Sequence, residues 1–306
     1  MCLLLTSVSG WAHDFEVGGI YYNITSSTDK TVAVTYRGSS YDSYSDEYSG
    51  SVVIPEAVTY NGTEYSVTSI GESAFYNCSG LTSVTIPNSV IEIGRDAFGY
   101  CTGLTSISIP NSVTSIGRHA FMDCVGLTSI TIPSSVANID HNNLFYGCEN
   151  LEHVVVEEDN PVYDSRDNCN AIIETASNTV IAGCKTTTIP NSVITIGNSA
   201  FWNCDRLTSI DIPNSVKSIE SYAFYGCSDL NTISIGNSVR SIASNAFDRT
   251  EWYRNQPDGV MYVGKYAYGY KGGMFSNTIV LEEGTLGIAD DAFNGHYGLV
   301  SVTIPS

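Results

Sequence analysis

Nine cysteines are the residues of this chain best suited to covalent or metal chemistry, and six of them keep a beat. Cys78, Cys101, Cys124, Cys148, Cys204 and Cys227 each stand three residues after a Phe. If successive copies belong to stacked coils, neighbouring thiols lie about 5 Å apart with their side chains parallel. That is poor disulfide geometry. The pattern has no CxxC and no His in register, so it does not resemble a metal site either. A free Cys packs as a small hydrophobe, and a reduced thiol ladder in the core is expected. Cys169 and Cys184 break the beat. They flank "CNAIIETASNTVIAGC", which reads as two strands around a turn at Ala176-Ser177, with the cysteines equidistant from it. A disulfide across this hairpin is one reading; two buried thiols are the other.

The other reactive side chains do not assemble into a machine. His13, His119, His141, His153 and His296 fall at different phases of the sequence period. His119 stands where other copies have Asp96 or Ser199, as a solvent-facing position would. Glu157, Glu158, Asp159, Asp164 and Asp167 have the oxygens Ca²⁺ prefers, but their spacing matches no calcium loop and Arg166 sits among them. A solvated loop is the preferred reading, and no metal or cofactor is expected. GxGxxG, GxSxG, HExxH and a phosphate loop are all missing, so the chain does not read as an enzyme.

What positions these residues is a repeat. Ala-Phe or Leu-Phe pairs place Phe at 75, 98, 121, 145, 201, 224, 247 and 293, at spacings of 23, 23, 24, 56, 23, 23 and 46. One unit, "LTSISIPNSVTSIGRHAFMDC" at residues 104–124, begins as a strand with Ile107 and Ile109 inward and Ser106 and Ser108 outward. Pro110 stops the strand and Asn111-Ser112 turns the chain. Val113 and Ile116 make a second apolar edge. Ala120, Phe121 and Cys124 turn inward on one short helical or 3₁₀ turn. One such unit cannot bury its own aliphatics, whereas stacked units cover each other. The expected architecture is mainly β with short helical turns, a solenoid of about 23-residue coils.

The run L-T-S-[VI]-[TS]-I-P-N-S-V-x-x-I-G-x-x-A-F-x-x-C resembles the BspA-type bacterial surface leucine-rich repeats over residues 51–306. The resemblance implies a right-handed leucine-rich-repeat coil. It also implies a role in adhesion to host matrix proteins, other cells or surfaces.

Residues 1–12 resemble the end of a secretory signal, with an apolar run and the small-x-small Gly10-Trp11-Ala12, so export is expected. Residues 13–57 are expected to form a β cap, and residues 58–306 the solenoid. "VTYNGTEYSV" has the Asn-Gly of a type I′ hairpin. Tyr41, Tyr44 and Tyr48 lie in a polar surface loop. Insertions near 152–183 and 253–275 each read as a hairpin leaving the solenoid. In the second, Tyr262, Tyr266, Tyr268 and Tyr270 either pack on its flank or contact a ligand.

The net charge of −19 disfavours nucleic acid and anionic membrane as partners, and no membrane span is present. The candidate binding surface is two rows of small polar residues: Ser83 and Thr85, Ser106 and Ser108, Ser129 and Thr131, Ser209 and Asp211, Thr232 and Ser234. These rows either satisfy each other along a ladder or receive a protein or glycan. The expectation is an exported, monomeric, non-enzymatic binding protein. The alternative is a spacer presenting a further domain, since the chain stops at Ser306 in mid-coil.

Overall fold

A computed structural model describes residues 13–43, 46–140, 143–273 and 277–305. The expected signal segment at residues 1–12, together with Tyr44 and His141, lies outside the described residues. The chain divides into two compact units, residues 1–140 and 141–306.

In the first unit the strands are β1 (Phe15–Val17), β2 (Ile20–Ser26), β3 (Thr31–Thr35), β4 (Gly50–Val53), β5 (Ala57–Tyr60), β6 (Thr63–Ile70), β7 (Leu81–Thr85), β8 (Glu92–Ile93), β9 (Ser115–Ile116), β10 (Ser129–Ile132) and β11 (Asn138–Ile139). The second unit holds β12 (His153–Val156), β13 (Tyr163–Asp164), β14 (Ala171–Glu174), β15 (Thr179–Gly183), β16 (Thr195–Ile196), β17 (Ser209–Ile212), β18 (Ser218–Ile219), β19 (Thr232–Ile235), β20 (Ser241–Ile242), α1 (Glu251–Arg254), β21 (Gly259–Val263), β22 (Tyr266–Lys271), β23 (Thr278–Val280), β24 (Gly287–Ile288) and β25 (Ser301–Thr303).

Most coils contribute two strands where the sequence shows one; in the coil at residues 104–124 the strand expected around Ile107 and Ile109 is reduced to a single bridge from Ser108 to Thr85. The S-I-T-I segment forms the first, as in β17 paired in parallel with β19. The second is the two-residue step before Gly: β6, β8, β9 and β11 pair in parallel in the first unit, and β16, β18 and β20 in the second. Two residues are too few to announce a strand by alternation; what makes them a strand is the neighbouring coil. Gly117 allows the approach, since a Cβ there would meet Arg95 N at 2.6 Å.

The third side is the Ala-Phe turn. Hydrogen bonds of the i→i−3 type run from Tyr76 N–H to the Ser73 carbonyl and from Cys78 N–H to Phe75 (3.0 and 3.2 Å). They do not continue as a 3₁₀ helix, because the residues two before and two after each Phe are left-handed: Asp96 and Tyr100, His119 and Asp123, Ser199 and Asn203. This conformation costs a non-glycine residue about 1 kcal/mol or more. In return the N–H groups of Asp96, Phe98 and Tyr100 all donate to the next coil, at Arg118, Ala120 and Met122 (2.8–3.0 Å). Three bonds at about 1 kcal/mol net each offset that strain. The same requirement explains His119. Its position selects residues that tolerate positive φ, and the side chain is largely buried with Nδ1 3.1 Å from the Asp96 carboxylate, not solvent-facing.

Between the sides the phenyl rings stack. Phe98 lies 5.2 Å from Phe75 and 5.8 Å from Phe121, nearly parallel, and all three are buried. In the second unit Phe224 lies 4.8 Å from Phe201 and 5.2 Å from Phe247.

The N-terminal strands start this stack. β1, β2 and β3 form an antiparallel meander, and β3 then pairs in parallel with β6. The β5–β6 hairpin turns at Asn61 and Gly62, both at positive φ, as its sequence predicts. The expected polar loop corrects at one residue: Tyr48 is buried, its ring 4.7 Å from Phe75. Its hydroxyl donates to the Thr35 carbonyl (2.7 Å) and accepts from Tyr21 N–H. Tyr41 is exposed.

Neither hairpin leaves the repeat. β15 of the first runs parallel to β16, with Ile194 N–H on the Asn178 carbonyl and Gly197 N–H on Val180. Gly183 N–H reaches the Ala200 carbonyl, the bond a Phe N–H makes elsewhere. β22 of the second pairs in parallel with β24. Each hairpin supplies the first parallel partner of the short strand that follows it, β15 for β16 and β22 for β24, and so satisfies backbone groups that would otherwise be orphaned; β22 is not paired with β20.

Candidate binding surface

The S-I-T-I strands hold their polar residues outward by alternation. In the first unit Ser51 pairs with Ser83 and Val53 with Thr85, and the Ser51 and Ser83 hydroxyls are 2.9 Å apart. Thr85 bridges to Ser108. Thr85, Ser106, Ser108, Ser129 and Thr131 are exposed and Ser83 is half-exposed, while Val84, Ile107 and Ile130 between them are buried. In the second unit Ser209 pairs with Thr232 and Asp211 with Ser234, all four exposed. Beside this second pair a groove of about 400 Å³ is lined by Asp211, Pro213, Asn214, Ser234 and Asn237.

These hydroxyls donate and accept hydrogen bonds. A nucleophile also needs an adjacent base. Among the described residues, the side-chain partners found for these positions are Ser51 for Ser83 and Asn231 for Thr232.

The tyrosines of the second hairpin divide. Tyr266 and Tyr268 are buried and cannot serve as a contact surface. Tyr266 hydroxyl donates to the Val239 carbonyl (2.9 Å), and Tyr268 hydroxyl donates to the Asp248 carboxylate (2.6 Å) while accepting from Phe247 N–H (2.9 Å). Their alternation marks the strand face that covers the preceding coil. Tyr262 and Tyr270 remain partly exposed; Tyr262 hydroxyl accepts from Glu282 N–H (2.8 Å) and the Tyr270 ring meets His296 edge-on at 4.9 Å.

A cluster that the sequence reading missed lies just outside the Phe stack of the second unit. Trp202 stacks on Tyr222 (5.0 Å, 12°) and meets Tyr146 and Tyr225 edge-on, and the Arg249 guanidinium lies 5.1 Å above the Tyr225 ring. The signal was present: Tyr146, Trp202 and Tyr225 each follow the repeat Phe directly, a phase that the turn keeps near the surface.

All eight cysteines from Cys78 to Cys227 are buried and free. The ladder thiols have a repeated partner: Cys101, Cys124 and Cys227 Sγ donate to the carbonyls of Phe75, Phe98 and Phe201 in the preceding coil (3.0–3.1 Å). Burial pushes the Cys78 thiol up to about 12 and Cys169 to about 11, and raises Cys101, Cys204 and Cys227 as well. Protonated thiols in this range are poor nucleophiles and poor metal ligands.

Cys169 and Cys184 are not bridged. A β-bulge between Ile172 and Ile173 shifts the hairpin register by one, so that Ala171 faces Gly183. By that register Cys184 stands opposite Asn170, and its Sγ bonds the Asn170 carbonyl (3.4 Å). Cys169 Sγ turns to the Ala171 carbonyl instead. In the acidic insertion Arg166 clamps Asp164 through two bonds (2.8 and 2.5 Å) and reaches Asn178. A carboxylate so engaged is unavailable to a cation, and no metal-ligating group of three appears among the described residues.

The sequence matches the family model described as BspA type leucine rich repeat region, in six copies, over residues 68–169 and 168–274. A comparison with curated proteins found no match. Among solved structures, a leucine-rich repeat protein from Bacteroides ovatus is 26% identical with a TM-score of 0.53, covering 96% of this chain and 72% of its own. The pneumococcal vaccine antigen PcpA is 18% identical with a TM-score of 0.51, covering 95% and 81%. A leucine-rich repeat protein from Bacteroides capillosus is 38% identical over 47% of this chain and 97% of its own, with a TM-score of 0.40.

Proposed function

Because the chain belongs to the BspA-type leucine-rich repeat family, we propose that it is an exported, cell-surface binding protein. On this reading its S-I-T-I strands contact a macromolecular partner on host or neighbouring cells. The observation that carries the reading is the presentation of the polar rows. At Ser83 and Thr85 and from Ser209 to Ser234 the backbones are held in register by parallel ladders, and Ser108 is tied by a single bridge. Val84, Ile107, Ile130 and Ile210 between the polar positions are buried, yet the polar side chains stand at the surface. A rigid polar surface that is already ordered loses little entropy on binding. The strongly acidic balance favours partners with basic or neutral surfaces. Export rests on the residues 1–12 pattern. Among the described residues no helix is long and apolar enough to cross a membrane.

The test is capture of the full chain on immobilised host matrix proteins and intact cells, with Thr85→Arg/Ser108→Arg and Ser209→Arg/Thr232→Arg as variants. These side chains point to solvent, so folding is expected to persist. Retention that falls at least tenfold in one pair supports contact through that unit. Retention unchanged in both pairs removes the strand face from the interaction, and no retention of the intact chain at high concentration leaves a spacer role.

A further inference from the structure

In a regular coil of the second unit the Ala-Phe turn hands its N–H groups to the next coil: Ser199, Phe201 and Asn203 donate to the carbonyls of Ser221, Ala223 and Tyr225. Between Phe247 and Phe293, 46 residues apart instead of 23, one such turn is missing. The β21–β22 hairpin stands in place of that coil, with β22 parallel to β24 but in a separate sheet from β20, and brings no Ala-Phe turn with it. The omission leaves a cleft of about 400 Å³.

The unpaired backbone groups on the two walls of this cleft differ in polarity, and Ser244, Asp248 and His296 line it as well. On one side is Asn245, the counterpart of Ser199, whose N–H has no partner among the described residues. On the other are the carbonyls of Ala292 and Asn294, the counterparts of Ala223 and Tyr225, which likewise have none. Asp290 N–H closes one end on the Ile242 carbonyl (2.9 Å). Tyr268 forms the inner wall, its hydroxyl already shared between Phe247 N–H and Asp248. Tyr253 and Tyr270 add partly exposed rings.

We propose that this cleft binds a neutral carbohydrate. An extended peptide offers N–H and C=O together on each edge, whereas the turn that fills this place in a regular coil donates from one edge and accepts on the other, so an ordinary strand does not match the unpaired backbone groups of the two walls. A sugar hydroxyl donates and accepts, so it fits the N–H side and the carbonyl side equally. The tyrosine rings supply flat apolar area for the C–H face of a pyranose. No Lys or Arg lines the cleft, and Asp290 and Asp291 stand exposed at its rim, which opposes an anionic ligand. The site lies apart from the strand face, so the two assignments stand or fall separately.

The experiment is retention of the full chain on an array of neutral gluco-, galacto-, manno- and N-acetylglucosamine oligosaccharides, with sialylated, sulfated and poly-lysine arms. Hits are titrated in solution through Trp252 fluorescence, since that indole lies 5.6 Å from the Tyr268 ring. The expected result is retention on neutral sugars, weakened at least tenfold by Tyr270→Ala and by Asn294→Arg and unchanged by the strand-face variants. Asn294 is exposed, so its variant keeps the test valid if Tyr270→Ala unfolds. Failure to retain any neutral sugar, affinity indifferent to both substitutions, or preference for poly-lysine or the anionic arms overturns the assignment.

Discussion

Gly183→Ala tests directly whether the first hairpin acts as a coil. Gly183 is not left-handed; it is glycine because a Cβ there would stand 2.1 Å from Phe201 Cε1, 2.5 Å from Cζ and 2.8 Å from Cδ1. Phe201 has no free space to yield into, being 1% exposed and stacked on Phe224 at 4.8 Å. Overpacking of this kind costs about 1–3 kcal/mol. For a unit of this size that corresponds to a fall in melting temperature of roughly 2–12 °C. The assay is a circular-dichroism melt beside Gly298→Ala, where a Cβ meets nothing within 4 Å and no change is expected. Phe201→Leu removes the Cε1 and Cζ atoms in conflict. The double variant is therefore expected to be more stable than the sum of the single effects by about 1 kcal/mol. A Gly183→Ala protein that melts with the wild type, or strictly additive single effects, would refute the packing of the hairpin over the Phe stack.

Phe224→Ala, which removes a ring stacked on both faces, is expected to cost about 3–5 kcal/mol by urea unfolding. Tyr268→Phe leaves the buried Phe247 N–H without an acceptor and is expected to cost about 1–3 kcal/mol, with secondary structure retained. Thiol labelling at pH 8 is expected to leave the cysteines from Cys78 to Cys227 unmodified until denaturant is added, Cys169 and Cys184 included; a mass showing one native bridge contradicts the bulged register. Stability also follows the thiols at high pH. Burial raises Cys169 to about 11 and Cys78 to about 12, above the ordinary thiol range, so the folded state holds these protons more tightly. That contribution is complete below pH 9 and is lost as pH rises through 11 to 12. The melting temperature is expected to fall between pH 9 and 11, and a flat profile there argues against buried thiols.

Much of the repeat was legible in one dimension. The 23-residue spacing of Phe, the Asn61-Gly62 turn and the reduced cysteine ladder all follow from period and local turn chemistry, each carried by a few adjacent residues, whereas the strand expected before Pro110 shrinks to one bridge at Ser108. His119 and Tyr48 were misjudged, and Tyr268 was left open between packing and contact, for one reason: a polar or aromatic residue at an irregular position looks exposed until the element covering it is known.

By itself the sequence determined that coils repeat, which aliphatics they share and which hydroxyls alternate outward, because periodicity is a local property of the chain. Tertiary structure alone decided where a coil could be dispensed with. Whether Gly183 lies on a phenyl ring, whether a bulge moves Cys184 opposite Asn170, and whether a missing turn opens a cleft between Asn245 and Asn294 depend on what the next coil offers across the ladder. That partner is distant in the chain, and no spacing within either segment encodes it.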